Sequence, residues 1–153
     1  MSTVILACVL LVVATTVLHY EALRMLNAGL PRLPIPNRSK LIVVMLAAFA
    51  AHALEIGLYG ASYCALAGPL GAGALNGAGS GASLSNCLYF SAETFTSLGY
   101  GDLIPQGPLR VLAGVEALNG LLLIGWTASF TYLCMERFWQ GGPRGESSDS
   151  AGP

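Results

Sequence analysis

Thr94-Phe95-Thr96-Ser97-Leu98-Gly99-Tyr100-Gly101-Asp102 is the stretch around which the rest of this sequence is arranged. Hydroxyl residues lead into two glycines that alternate with large side chains, and a carboxylate follows. In an ordinary strand, successive residues face opposite ways. Aiming successive carbonyls at one side requires backbone angles that a Cβ resists, so Gly99 and Gly101 fall where glycine's freedom is needed. Apolar runs of spanning length stand on both sides of this segment. Irregular backbone at membrane depth is tolerated only where protein surrounds it or where it lines a water path.

Composition sets the frame for that reading. At 153 residues, 54% hydrophobic and only 10% charged, the chain is too apolar for a soluble domain of its size. The expected fold class is an all-α integral membrane protein. With a net charge of −1 and no basic patch to track phosphates, no nucleic-acid partner is expected. No metal-ligand spacing, nucleotide loop or Ser/His/Asp arrangement occurs, so neither an enzyme nor an organic cofactor is expected.

Residues 1–23 read as a first transmembrane helix, long enough for the ~20 residues a span needs. Residues 1–18 carry no Lys or Arg, which argues for a retained helix rather than a signal peptide. His19 and Glu21 then fall near its end, where polar side chains reach the interface. The connector 24–40 holds Pro31, Pro34 and Pro36, which favour an extended segment. It also holds Arg24, Arg32, Arg38 and Lys40, out of 7 basic residues in all, and so reads as cytoplasmic. The N-terminus is then outside, and an outer helix, 41–59, runs outward. Residues 60–83 carry no charge and are crowded with Gly, Ala and Ser, the composition of an extracellular loop of low order. Cys64 and Cys87 bracket this loop on the side where disulfides form, or stand there as unpaired small hydrophobes. Cys8 and Cys134 fall inside apolar helices as packing residues. At ~1.5 Å per residue, 84–96 reaches only about 20 Å, so it enters the membrane and stops. The last helix, 109–138, contains Gly114, Gly120 and Gly125, and a polar tail, 139–153, is expected to be disordered.

The string from Glu93 to Asp102, E-T-x-T-x-x-G-Y-G-D, resembles the selectivity filter of potassium channels, and about Leu41 to Met135 resembles the two-helix pore module of that family. The resemblance implies three transmembrane helices plus a re-entrant pore helix and filter (97–102), tetrameric around a central pore. It implies passive conduction of K+ ions by a homotetramer embedded in membrane lipids, the cell membrane being the expected location, with the C-terminus cytoplasmic. Ion ligands carried over from the family are the carbonyls of Ser97, Leu98, Gly99 and Tyr100, with the Ser97 hydroxyl innermost and Gly101 completing the strand. Ser97 stands where the family usually has Thr, and Leu98 where it has Val. The resemblance also makes Tyr89, Glu93, Thr96 and Asp102 the filter's support. It sets Glu93 and Asp102 side by side with Tyr89 near them, and two carboxylates forced together cannot both stay ionised cheaply. Gly120 matches the inner-helix hinge, whereas Gly114 and Gly125 read as packing glycines. A weakly selective cation channel is an alternative prompted by Ser97 and Leu98. A non-conducting regulatory membrane subunit is another.

Four polar residues inside the spans call for partners, because a charge alone at a helix centre costs about 2.5–3.5 kcal/mol. His52 and Glu55 are spaced i, i+3, as are Glu116 and Asn119, so each pair shares a helix face. Counted from the outer helix ends, His52 lies ~10 Å deep and Glu116 ~9 Å. The two faces are expected to meet as one intramembrane cluster, with His52 as its titrating member.

Overall fold

A computed structural model describes residues 1–77 and 81–139. Most of the expected tail, from residue 140 on, lies outside them. Helix α1 spans Ser2–Gly29 and runs into a 3-10 turn, Leu30–Arg32. Helix α2 spans Asn37–Ala67, strand β1 Ala74–Gly77, helix α3 Leu84–Phe95, strand β2 Leu103–Gln106 and helix α4 Leu109–Trp139. Three helices, Ser2–Arg32, Asn37–Ala67 and Leu109–Phe138, are long and apolar enough to cross a membrane. The chain is an all-α multi-pass membrane protein. Each of the two 31-residue helices, α2 and α4, is ~46 Å long at 1.5 Å per residue, which exceeds the ~30 Å hydrocarbon layer and carries its ends beyond it.

Cross-helix contacts fix the directions. Asn119, Thr127 and Arg137 of α4 meet Thr15, His19 and Asn27 of α1 in the same order, so these helices run parallel. Helix α2 runs the other way, with Tyr59 bonded to Asn119, His52 to Thr127, and the Lys40 ammonium 5.1 Å over the Phe138 ring. The short α3 packs against both α2 and α4. Its burial centres on Cys87, Phe90 and Phe95, which join Tyr59, Tyr63, Leu109 and Leu112 in the larger apolar core.

The connector is helical over much of the length expected to be extended. Its prolines mark ends instead of breaking helices: Pro31 stands in the first positions of the 3-10 turn and Pro36 caps α2. Proline is tolerated at both places because those amides have no intrahelical acceptor to lose. The loop expected at 60–83 is also partly ordered, since α2 continues to Ala67 and Ala74–Gly77 pairs antiparallel with Leu103–Gln106. Gly60 is where α2 lies against α3, and a Cβ there would stand 2.8 Å from the Leu88 side chain and 3.1 Å from its Cα. Gly77 has φ 143°, and a Cβ there would overlap the Asp102 carbonyl. These glycines permit close backbone approach, which composition alone reads as disorder.

Candidate pore segment and intramembrane polar layers

Helix α3 is capped at its start by Ser83, whose hydroxyl accepts from the Asn86 amide at 3.3 Å. Its other end makes the segment of interest. The Ser97 amide donates to the Thr94 carbonyl at 3.0 Å and the Leu98 amide to the Glu93 carbonyl at 2.9 Å. This double bond pattern is a Schellman cap, which needs a left-handed residue just past the helix and usually takes glycine there. Ser97 fills that place with φ 57°. Gly99 (φ 56°) and Gly101 (φ 80°) follow, so every second residue from 97 to 101 is left-handed. The backbone therefore has the alternation expected from the glycine spacing, begun one step earlier by a helix cap at Ser97. A β-branched residue is poorly tolerated at such a φ, which gives a local reason for Ser in place of Thr.

Side chains around this segment divide by burial. Leu98 and Tyr100 are 58% and 69% exposed in the single chain. The Thr96 hydroxyl donates to the Ala92 carbonyl at 2.7 Å and so is spent on the helix end. Glu93 is buried, and its Oε1 has no hydrogen-bond partner. The Tyr89 hydroxyl interacts with both the Glu93 and the Asp102 carboxyl groups, so the three expected support residues are neighbours. Hydrogen bonding to Glu93 first, then desolvation and the bond to Asp102, push the Tyr89 phenol above its ordinary range. At the N-terminal end of α3, burial and then the neighbouring Cys64 thiol push Cys87 up to about 12. Both thiols are free.

The residues expected to form one intramembrane cluster are arranged in three layers. In the first, fully buried Glu116 accepts hydrogen bonds from Tyr63 Oη at 2.6 Å and from Ser91 Oγ. Below it, the Asn119 amide donates to Thr15 Oγ1 at 2.8 Å and to Tyr59 Oη at 3.2 Å. In the third, Glu55 Oε2 meets His52 Nδ1 at 2.8 Å, and Glu55 Oε1 meets His19 Nδ1 at 2.9 Å. His52 and Glu55 thus pair as their spacing predicts, as part of a group that excludes Glu116. His19 is not at an interface but completely buried. The reason is length: α1 continues to Gly29, so residue 19 lies well inside the helix.

Gly120 is the inner-helix glycine in close contact. A Cβ on it would overlap the Phe95 carbonyl oxygen, whereas Gly114 and Gly125 have open space. The inner helix therefore touches the last residue of α3, immediately before the capped turn.

A family model described as "Ion channel" matches residues 40–137, more than half of the chain. The chain belongs to this ion-channel family. The matched region starts three residues into α2 and ends within α4, so α1 is an addition to the family module. A curated relative, the inward rectifier potassium channel Kirbac3.1 of Paramagnetospirillum magnetotacticum, is 43% identical over 51 residues. That stretch covers 33% of the present channel and 17% of the relative. No solved structure matches.

Proposed function

We propose that four copies of this chain assemble around one axis as a passive, potassium-selective channel. In this reading the carbonyls of Ser97, Leu98, Gly99 and Tyr100, with the Ser97 hydroxyl, replace the water around K+, and Gly101 completes the ladder. The observation that carries it is the alternation of left-handed residues at 97, 99 and 101, directly after a helix too short to span. Exposure of Leu98 and Tyr100 supports the tetramer, since a non-helical segment at membrane depth requires further protein around it. The potassium-channel relative supports the choice of ion. Tyr89, between Glu93 and Asp102, braces the strand from behind. Gly120, expected as a hinge, is here the contact through which a lean of the inner helix reaches the filter. By the positive-inside rule, the connector with Arg32, Arg38 and Lys40 faces the cytoplasm and the N-terminus lies outside.

The test is a reversal potential. The purified protein in a planar bilayer, with potassium on one side and sodium on the other, should reverse near the potassium equilibrium potential. A reversal near zero would favour the second reading, a weakly selective cation channel, which the replacement of Thr and Val by Ser97 and Leu98 motivates. A purified tetramer that passes no ion would instead leave a non-conducting subunit.

A further inference from the structure

The chain contains two histidines, and α1 and α2 bring both to one carboxylate. Thr127 of α4 closes the opposite edge, its Oγ1 3.2 Å from His19 Nε2 and 3.0 Å from His52 Nε2. Glu55, His19, Thr127 and His52 thus form a ring of four contacts in which each ring nitrogen has one neighbour. The two imidazoles stack with centroids 5.3 Å apart, and apolar rings flank them, Trp126 beside His19 and Phe95 beside His52. Among the described residues, no lysine or arginine pairs with Glu55.

Hydrogen counting shows what this ring lacks. Four contacts need four hydrogens, but two neutral imidazoles and one hydroxyl supply three. If both Nδ1–H groups donate to Glu55, both Nε2 lone pairs face a hydroxyl that has one proton to give. If both Nε2–H groups donate to Thr127, two Nδ1 lone pairs and an ionised carboxylate converge with nothing between them. The ring also carries an uncompensated negative charge in the membrane interior when Glu55 is ionised and both imidazoles are neutral, and intramembrane charges of that kind are paired or functional. Either way the ring is short of one positive charge, which a proton on one imidazole supplies or a metal ion at the Nδ1 side takes over.

We propose that His19, His52 and Glu55 form a binding site for a divalent transition-metal ion of the zinc class, for which protons compete. Two imidazoles and a carboxylate are a donor set that suits zinc and cobalt, whereas magnesium and calcium prefer oxygen alone. In the metal-bound arrangement Nδ1 of both histidines and one Glu55 oxygen are ligands, and Thr127 accepts both Nε2–H groups. Its two lone pairs fix both tautomers, the role that second partners of metal-bound histidines usually take. The donor atoms of the three residues already lie within 4.8 Å of one another. A tetrahedral ion with bonds of ~2.0–2.1 Å needs them about 3.3 Å apart, so at most about 1.5 Å remains to be closed. His52 is the half-buried member and lines a cavity of about 770 Å³ with Phe49, Ile124 and Thr127, the side from which a fourth ligand would have to come. Binding clamps α1 to α2 and, through Thr127, to the inner helix. The site is independent of which ion the pore passes.

The experiment uses the full chain in lipid nanodiscs, titrated with cobalt(II) chloride. The expected result is one ion per chain with visible ligand-field bands of a tetrahedral or five-coordinate site, displaced by Zn2+ but not by Mg2+, and lost on acidification. His19→Gln, His52→Gln and Glu55→Gln each remove the bands, and Thr127→Val weakens binding by about 10–100-fold. A Cys64→Ser, Cys87→Ser double variant leaves them unchanged. His19 and Glu55 are fully buried, so folding of each variant is checked by circular dichroism, and His52→Gln decides the matter if those two do not fold. Absence of cobalt bands in the unaltered protein overturns the proposal. So do bands that survive His52→Gln, or bands that disappear with the two cysteines, which would place the metal on thiolates.

Discussion

Gly120→Ala adds one methyl group at the contact between the inner helix and the end of the pore helix. Its Cβ would overlap the Phe95 carbonyl oxygen and stand 2.9 Å from the carbonyl carbon and 3.0 Å from the Phe95 Cγ. Carbon atoms in good contact sit about 3.5–4.0 Å apart, so relief requires the helices to separate by roughly 1 Å. The obstacle is backbone, which cannot rotate away as a side chain would. Overpacking of this kind costs about 1–3 kcal/mol. Alanine recovers about 1 kcal/mol of helix propensity against glycine, leaving a net loss of up to about 2 kcal/mol per chain. Gly114→Ala and Gly125→Ala supply the internal control. Nothing lies within 4 Å of a Cβ at either position, so in the isolated chain each should be neutral or slightly stabilising. Thermal unfolding of the three variants in one detergent, read from tryptophan fluorescence, should place Gly120→Ala alone below the unaltered protein. A melting temperature for Gly120→Ala equal to those of the other two would refute the close packing. The displacement also falls on the residue before Thr96, so potassium flux should drop in Gly120→Ala when measured at a temperature where the chain is folded.

Two further outcomes follow from the same geometry. Glu116→Ala leaves the buried Tyr63 hydroxyl without an acceptor and opens a cavity, while Ser91 keeps the Ile56 carbonyl at 2.9 Å, and the change should cost about 2–4 kcal/mol. Glu116→Gln keeps an acceptor oxygen and should cost clearly less; equal losses in chemical denaturation would show that the Tyr63 hydroxyl finds another partner. Ser97→Gly should relieve the left-handed strain of a residue with a Cβ, gaining about 1 kcal/mol, and Ser97→Thr should lose a similar amount or more. A Thr variant as stable as the Gly variant would mean that Ser97 does not hold the helix-capping conformation.

The spanning helices and the short pore helix were legible in the sequence because the bilayer makes length and apolarity sufficient criteria. Helix ends were not, and the errors share a cause. Arg24, Pro31 and Pro36 each favour, in isolation, an exposed and extended state. In the chain, Arg24 pairs with Glu21 at 3.1 Å on α1, and the prolines occupy positions where a missing amide costs nothing. By composition Gly60 and Gly77 count as flexibility, yet each stands where another backbone comes too close for a side chain. A single sequence cannot separate a glycine that frees the chain from one that lets two segments touch, since the deciding atoms belong to a partner distant in sequence.

At the pore segment the alternation could be read because it follows from local sterics: Gly99 and Gly101 have the left-handed angles that the pattern demands. The left-handed Ser97 could not, because it arises from the way α3 ends. The polar layers show the limit most clearly. Depth along each helix placed His52 near Glu116, yet Tyr59, Asn119 and Thr15 form a layer between their groups, and Glu55 turns to His19 instead. Depth gives the level of a side chain but not its azimuth around the bundle, and here α1 supplies the missing partners. That helix lies outside the matched family region. It contributes Thr15 and His19, both fully buried, to two of the three polar layers. Its removal would leave Glu55 with one imidazole and Asn119 with one hydroxyl, at positions where bare polar groups are costly. The added helix is therefore part of the packing of the pore module, and the polar residues of α2 and α4 are matched to it.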